Sequence, residues 1–286
     1  MTLILRWLSR WPLARLHALG AALGWLTWAL SPTYRRRMAA NVALAGVDPA
    51  DARRAVAEAG RMAAEVPWLW LMPEGERLGE RVRWEGAEVI RDALAAGRGL
   101  ILLTPHLGSF EVAARSAVEH FDAPITVLYR PARQPWLRQL EETARARPQM
   151  ATAPASLAGV RQMLRALRRG EMVGLLPDQV PPLGQGVWAP FFGRPAYTMT
   201  LAARLAQQTG AAVGLAWCER LPHGRGFVVR LQALPGPWPE DDVAAATRVN
   251  EAMERAVRAL PSQYLWGYHR YKSPRRLRPD EGMETR

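Results

Sequence analysis

Five short apolar runs, at residues 99–104, 125–129, 172–176, 211–218 and 226–231, constrain the fold more than any other feature of this chain. Each is too short for an average helix and is flanked by glycine, proline or polar residues, so each reads as a buried strand. Between them lie segments with helical patterning, at 87–96, 109–120, 135–147, 156–169 and 198–208. That alternation predicts a layered α/β domain, a central sheet with helices packed on it. In such folds functional side chains gather at the carboxyl ends of the strands. An apolar fraction of 49% supplies a packed core and excludes disorder as the default state. No internal repeat is present.

The first strand end carries chemistry. The run 99–104 is followed by Pro105 and then by His106-Leu107-Gly108-Ser109-Phe110-Glu111. Proline stops the strand, Ser109 is suited to cap the next helix, and Glu111 falls in that helix's first turn. Two residues five apart on one ideal helix lie about 140° apart around its axis and share no face. With His106 in the preceding loop, however, Glu111 can reach back to its ring. One nitrogen is then held protonated while the other is free to take a proton. The plainer reading is a surface histidine followed by a glutamate that favours the positive end of a helix dipole. The spacing by itself does not separate the two.

The N-terminal region differs from the rest. Residues 3–30 are apolar and rich in tryptophan, interrupted by Arg6, Arg10, Arg15 and His17. The charge-free stretch, 16–30, falls short of a hydrocarbon core of about 30 Å at about 1.5 Å per residue. Trp7, Trp11, Trp25 and Trp28 suit the membrane interface, and Arg35-Arg36-Arg37 favour a cytoplasmic side for the remainder of the chain. No cleavage site succeeds the apolar stretch, so it reads as a retained membrane-anchoring helix, spanning or lying flat, rather than a signal peptide, with a buried core helix as the alternative. Residues 38–71 are Ala-rich and helical, with a cap near Asp48-Pro49. The expected organisation is an anchor helix at 1–32, a membrane-proximal helical segment at 33–84, a catalytic α/β domain at 85–272 and a flexible tail at 273–286.

Composition narrows the partners. The formal net charge is +12, carried almost wholly by arginine, with Lys272 the single lysine. It implies attraction to an anionic surface or partner. No nucleic-acid-binding motif accompanies it, so a membrane is favoured over nucleic acid. Cys218 is the only cysteine and lies in an apolar run, which excludes an internal disulfide and reads as a packed thiol. The five histidines show no ligand spacing, and no metal is expected.

Three further motifs stand at strand ends: Tyr129-Arg130-Pro131, Pro177-Asp178-Gln179, and Ala189-Pro190-Phe191-Phe192-Gly193-Arg194. Together with His106-x4-Glu111 and Gln263-Tyr264-Leu265-Trp266, this order resembles the lysophospholipid acyltransferase superfamily. In particular it resembles the bacterial lipid A late acyltransferases, over residues 1–272. The resemblance implies that a fatty acyl chain moves from an acyl thioester to a hydroxyl of a lipid A precursor. It implies His106 as general base and Glu111 as its orienting partner. Arg130, Arg145, Asp178 and Gln179 are implied in substrate binding, with the two arginines gripping an anionic group. The co-substrate implied is an acyl carrier protein or acyl coenzyme A, with no cofactor. The location implied is the inner membrane, catalytic domain on the cytoplasmic face. Trp188, Phe191, Phe192 and Leu183 are candidates for the apolar acyl slot, or equally for ordinary core. The amides of Gly108 and Ser109 are candidates for stabilising the oxyanion. The chain departs from the family pattern at Gln134 and at Gly267-Tyr268-His269-Arg270.

The sequence also admits alternatives. A phospholipid, glycerol-phosphate or aminolipid acyltransferase usually carries His-x4-Asp and Glu-Gly-Thr-Arg, where this chain has Glu111 and Pro-Asp-Gln. A non-enzymatic basic membrane-binding protein would have no need of His106. A serine hydrolase is disfavoured because no Gly-x-Ser-x-Gly elbow is present.

Overall fold

The computed structural model describes residues 2–73, 75–129, 134 and 149–276 of the 286. Strands β1 (Val82–Glu85), β2 (Leu100–Leu103), β3 (Ile125–Tyr129), β4 (Met150–Pro154), β5 (Met172–Leu175), β8 (Ala212–Arg220) and β9 (Phe227–Ala233) form one sheet. Its order is β1-β9-β8-β2-β5-β3-β4. The five strands from β8 to β4 are parallel, while β9 pairs antiparallel with β8 and β1 parallel with β9. A separate antiparallel hairpin, β6 (Gly186–Phe191) with β7 (Arg194–Met199), stands where the sequence suggested only an aromatic turn.

Every residue of β2 and β5 is buried, as parallel strands covered on both faces should be. Alternate side chains divide between two cores. Leu100, Leu102, Ile125, Met172, Ala216 and Leu231 pack with Ile90, Ala93 and Ala117, which belong to α5 (Glu88–Ala95) and α6 (Phe110–Phe121). Ile101, Leu103, Val173, Leu175, Val213 and Leu215 face the other way. There they meet α7 (Leu157–Arg168), α8 (Leu201–Thr209) and α9 (Asp242–Ala259).

The N-terminal region is four helices: α1 (Thr2–Leu8), α2 (Leu13–Leu30), α3 (Pro32–Ala45) and α4 (Pro49–Trp70). Asp48 caps α4 by accepting from the Ala50 amide. Helices α2 and α4 touch through glycine. A Cβ at Gly60 would overlap the Gly20 carbonyl oxygen, so only glycine permits this approach.

The spanning form of the expected membrane-anchoring helix is corrected here. Among the described residues no helix is long and apolar enough to cross a membrane. The apolar stretch is broken between Leu8 and Leu13, and α2 buries Leu16, His17, Gly20 and Gly24 against the protein. Its other side is exposed at Leu23, Trp25, Leu26, Trp28 and Leu30. The expected helix at 135–147 and the end of the expected tail, 277–286, lie outside the described residues.

Candidate active site

Strands β2 and β5 are neighbours with Leu103 opposite Leu175. Three residues beyond each of these stand His106 and Asp178, so the parallel register carries both to the same level above the sheet. The contact is direct. The His106 ring Nδ1 lies 2.8 Å from Asp178 Oδ1, and the His106 backbone amide donates to Oδ2 at 2.9 Å. A carboxylate only accepts, so Nδ1 carries the hydrogen and Nε2 of the neutral ring presents its lone pair. Gln179 Nε2 lies 3.1 Å from that nitrogen, and its carboxamide N–H donates to it. Phe110 stacks obliquely on the imidazole, ring centroids 4.7 Å apart.

Both members of the pair are buried, Asp178 to 3% exposure and His106 to 9%. Burial pulls the imidazolium pKa down. The charge and hydrogen bond of Asp178, aided by the charge of Glu111, outweigh it, and His106 ends above its usual range. Burial pushes the Asp178 carboxyl up, but His106 and the nearby Arg270 guanidinium more than reverse this and hold it low.

Three segments fix the loop that carries His106. Gly108 has φ of +66°, and a Cβ there would overlap the Cys218 carbonyl, so glycine is required. Its amide donates to Gln263 O at 3.0 Å, the Ser109 amide donates to Cys218 O at 2.7 Å, and Leu265 N donates to His106 O at 3.1 Å. The Gln263 side chain clasps Arg220, accepting from its amide and donating to its carbonyl, both at 2.9 Å. The Gln263–Trp266 motif is therefore the outer brace of the histidine loop. The expectation that Gly108 and Ser109 amides stabilise an oxyanion is corrected by the same bonds, because both already donate to protein carbonyls. Cys218 is fully buried, and burial pushes its thiol pKa well up, as befits a packed side chain.

His106, Glu111 and Gln179 line a cavity of about 770 Å³, within the usual range for small-molecule sites. Its deeper wall is apolar. Leu102, Ile125, Gly174 and Ala216 come from the sheet, and Ala113 and Ala117 from α6. Four of these six are glycine or alanine. Small side chains on both facing surfaces leave room between α6 and the sheet that larger ones would fill.

The remaining sequence candidates fall in several places. Glu111 lines the cavity and acts on His106 through its charge, while the carboxylate hydrogen-bonded to Nδ1 belongs to Asp178. Arg130 and Arg145 lie outside the described residues. Trp188, Phe191, Phe192 and Leu183 do not line the cavity beside His106. Phe191 packs under Tyr271 with Arg270 over its ring, Phe192 packs on Trp266, and Trp188 stands half-exposed against Tyr197. They belong to the β6–β7 hairpin, which α9 covers. Sequence reasoning missed Arg270, whose charge helps to hold Asp178 low, Tyr264, which pairs antiparallel with Leu107 beside the histidine, and Arg220, which Gln263 clasps. For Tyr264 the Gln-Tyr-Leu-Trp motif was the available signal.

A histidine–carboxylate pair at the ends of adjacent parallel strands, beside an apolar cavity, is an arrangement suited to group transfer onto or from a hydrophobic substrate. The sequence matches the bacterial lipid A biosynthesis acyltransferase family over residues 1–273. The chain belongs to that family and is an O-acyltransferase. It is 29% identical over 229 residues to the lipid A biosynthesis lauroyltransferase of Escherichia coli (strain K12), covering 79% of this chain and 71% of the relative. Identity to the palmitoleoyltransferase of the same organism is 28% over 221 residues, covering 75% and 69%. Identity to its myristoyltransferase is 24% over 255 residues, covering 86% and 77%. These relatives are named for three different acyl groups, so overall similarity does not assign the chain length.

Proposed function

We propose that this enzyme transfers a fatty acyl group from the thioester of an acyl carrier protein to a hydroxyl of a lipid A precursor. His106 is the general base. The observation that carries the reading is the orientation of its ring, with Nδ1 anchored on Asp178 and Nε2 on the wall of the apolar cavity. The acceptor hydroxyl displaces Gln179 from Nε2 and gives its proton to that nitrogen as its oxygen attacks the thioester carbonyl carbon. The tetrahedral intermediate collapses with cleavage of the C–S bond. The leaving thiolate then takes the proton back from Nε2. Asp178 fixes the tautomer and stabilises the imidazolium, as the third member of a catalytic triad does. Glu111 adds a second negative charge in support. The displaced Gln179 carboxamide and the positive end of α6 stabilise the oxyanion.

The acyl chain lies in the slot between α6 and the sheet, where each buried methylene contributes about 0.8 kcal/mol. The acidic carrier protein docks by charge, against a protein of net charge +12 with Arg161, Arg165 and Arg168 exposed on α7. The first residues of that helix line the cavity. Arg130 and Arg145 grip an anionic group of the acceptor. The enzyme works at the cytoplasmic face of the inner membrane, where the exposed Trp and Leu side chains of α2 lie on the bilayer and Arg35 and Arg36 meet its anionic surface.

The test is acyl transfer in detergent, with lauroyl and myristoyl carrier protein or the corresponding coenzyme A thioesters as donors. The acceptor is a tetra-acylated lipid A precursor. Product with wild type and none with His106→Ala supports the reading. Equal turnover by both removes His106 from its role, and faster transfer from coenzyme A overturns the donor.

A further inference from the structure

A second cavity, of about 440 Å³, lies outside the histidine site and is lined by Arg37, Gly267, Tyr268, His269, Lys272, Ser273 and Arg275. Three permanent cations and a histidine share it, and among the described residues no acidic side chain lines it. Among the described residues none of those cations has a carboxylate partner within ion-pair distance. Elsewhere two crowded arginines are compensated by carboxylates, Arg220 by Glu65 and Glu58 and Arg230 by Glu219 and Glu85, while the buried Arg270 is held by the neutral oxygens of Tyr197, Thr198 and Asn250. Like charges held together without compensation destabilise the site until an anion arrives. The same crowding acts on His269: partial burial, then Arg37, Lys272 and Arg194, push its imidazole pKa down.

The cavity is built. Its floor is the turn at Gly267, which packs on the ring of Tyr34 so closely that a Cβ there would overlap it. Asn41 of α3 holds the turn with two bonds, to Trp266 O at 2.7 Å and Tyr268 O at 2.8 Å. Lys272 lies over the Tyr268 ring, 4.8 Å from its centroid. The cavity is also joined to the histidine site. The Tyr268 hydroxyl accepts from the Val180 amide at 2.9 Å, and Val180 comes directly after Gln179 and lines the large cavity. At the other side Arg37 lies in the second turn of α3, immediately beyond the exposed apolar end of α2.

We propose that this pocket binds a phosphate group carried by the lipid acceptor, holding it while the acceptor hydroxyl reaches His106. Planar guanidinium forks and one ammonium suit the several oxygens of a phosphate. Placement between an exposed apolar helix and the catalytic histidine suits a phosphate attached to a lipid. The proposal rests on the acyl-transfer reading of the histidine site.

The test has one arm that needs turnover and one that does not. In micelles at saturating donor, Arg37→Ala/Lys272→Ala should raise KM for a phosphorylated acceptor at least tenfold and leave kcat within about twofold. Lys272→Arg should keep the wild-type KM. With an acceptor stripped of its phosphates, wild type and the double variant should share the same high KM. An unchanged KM for the phosphorylated acceptor overturns the acceptor as the source. In the second arm, inorganic phosphate and then dodecyl phosphate are titrated into the protein while the His269 ring is followed by NMR. Phosphate should raise the apparent pKa of His269 in wild type and leave it unmoved in the double variant. No response in wild type overturns the pocket as a phosphate site, whether or not the protein transfers acyl groups. If the double variant instead loses flotation with phosphatidylglycerol vesicles and keeps its acceptor KM, the phosphate belongs to a bilayer headgroup and the acceptor assignment falls. Absence of acyl transfer by wild type with a normal His269 response defeats the functional reading alone.

Discussion

Two buried histidines of this protein each touch a buried carboxylate at nearly the same distance. His106 Nδ1 lies 2.8 Å from Asp178, and His17 Nε2 lies 2.7 Å from Glu65. By burial and hydrogen bonding alone they are near equivalents. What surrounds them is not. Glu65 is gripped on both oxygens by the Arg220 guanidinium, and Glu58 takes a further nitrogen of it at 2.8 Å. This cluster joins α2 and α4 to the end of β8, and His17 lines neither of the two cavities. Asp178 receives the His106 backbone amide as well as its ring, and the ring's second nitrogen meets only a displaceable carboxamide at a cavity wall. A histidine–carboxylate pair becomes chemistry when its free nitrogen has room for a substrate. It becomes a strut when its carboxylate is committed to an arginine.

The largest expected effect separates the two. His106→Ala should lower kcat by about 10²–10⁴ with little change in unfolding midpoint, the range for loss of a general base. His17→Ala should do the reverse, leaving kcat within about threefold while destabilising the fold by about 1–3 kcal/mol, since Glu65 loses a buried partner. Turnover and urea unfolding on the same preparations decide. A His17→Ala enzyme that is folded and as inactive as His106→Ala would break the comparison.

The carboxylates give the next test. A general base works as neutral imidazole, so on the proposed mechanism the rate should rise with pH through a His106 pKa that lies above the free value of about 6.5. Asp178→Asn removes the larger attraction and should move that inflection to lower pH while cutting kcat, because the tautomer is no longer fixed. Glu111→Gln should move it in the same direction by less. An equal or larger shift with Glu111→Gln would make Glu111 the principal partner of the ring. At the other pair, Arg220 and its hydrogen bonds hold the Glu65 pKa down at about 2 against the cost of burial. A depressed carboxyl contributes stability above its unfolded pKa, about 4.3, and loses it as pH falls through about 2. Glu65→Gln should therefore flatten the acid side of the stability curve and cost about 3–5 kcal/mol at pH 7.

The sheet was legible because its central strands are uninterrupted apolar runs; β2, β3, β5, β8 and β9 stand where those runs predict. Strands β1 and β4 were not. Val82–Glu85 alternates half-buried with exposed residues, and Met150–Pro154, Met-Ala-Thr-Ala-Pro, is a short edge strand with one fully buried position and no run of large apolar residues. His106 was legible as a strand-end histidine. Its hydrogen-bonded carboxylate was not, because Asp178 lies 72 residues away and meets it only through the adjacency of β2 and β5. Local spacing pointed to Glu111, the carboxylate nearest in sequence. The place of the cavity beside His106 was not legible for a related reason. Bulky aromatic residues suggest a hydrophobic pocket, yet Phe191 and Phe192 fill space in the core, and the cavity opens where glycine and alanine stand among the larger residues that line it.

That last point sets the smallest effect, in substrate choice. Gly174 sits in the middle of β5, where glycine weakens a strand, and a Cβ there would make only ordinary contacts, 3.4 Å and more, with Val127 and Ile125. The backbone there does not demand glycine, since its φ is not positive. Gly174→Ala should be tolerated and Gly174→Leu should reach into the slot, shortening the chain it accepts. Loss of contact for one methylene is worth about 0.8 kcal/mol, about fourfold in relative kcat/KM, so excluding two should change the preference for the longer of two donors by about 15-fold. Competition between lauroyl and myristoyl donors reads this as a product ratio, independent of how much enzyme is active. An unaltered ratio in a folded, active Gly174→Leu enzyme would put the acyl chain elsewhere, and the apolar cavity beside His106 would lose its assigned occupant while the histidine kept its role.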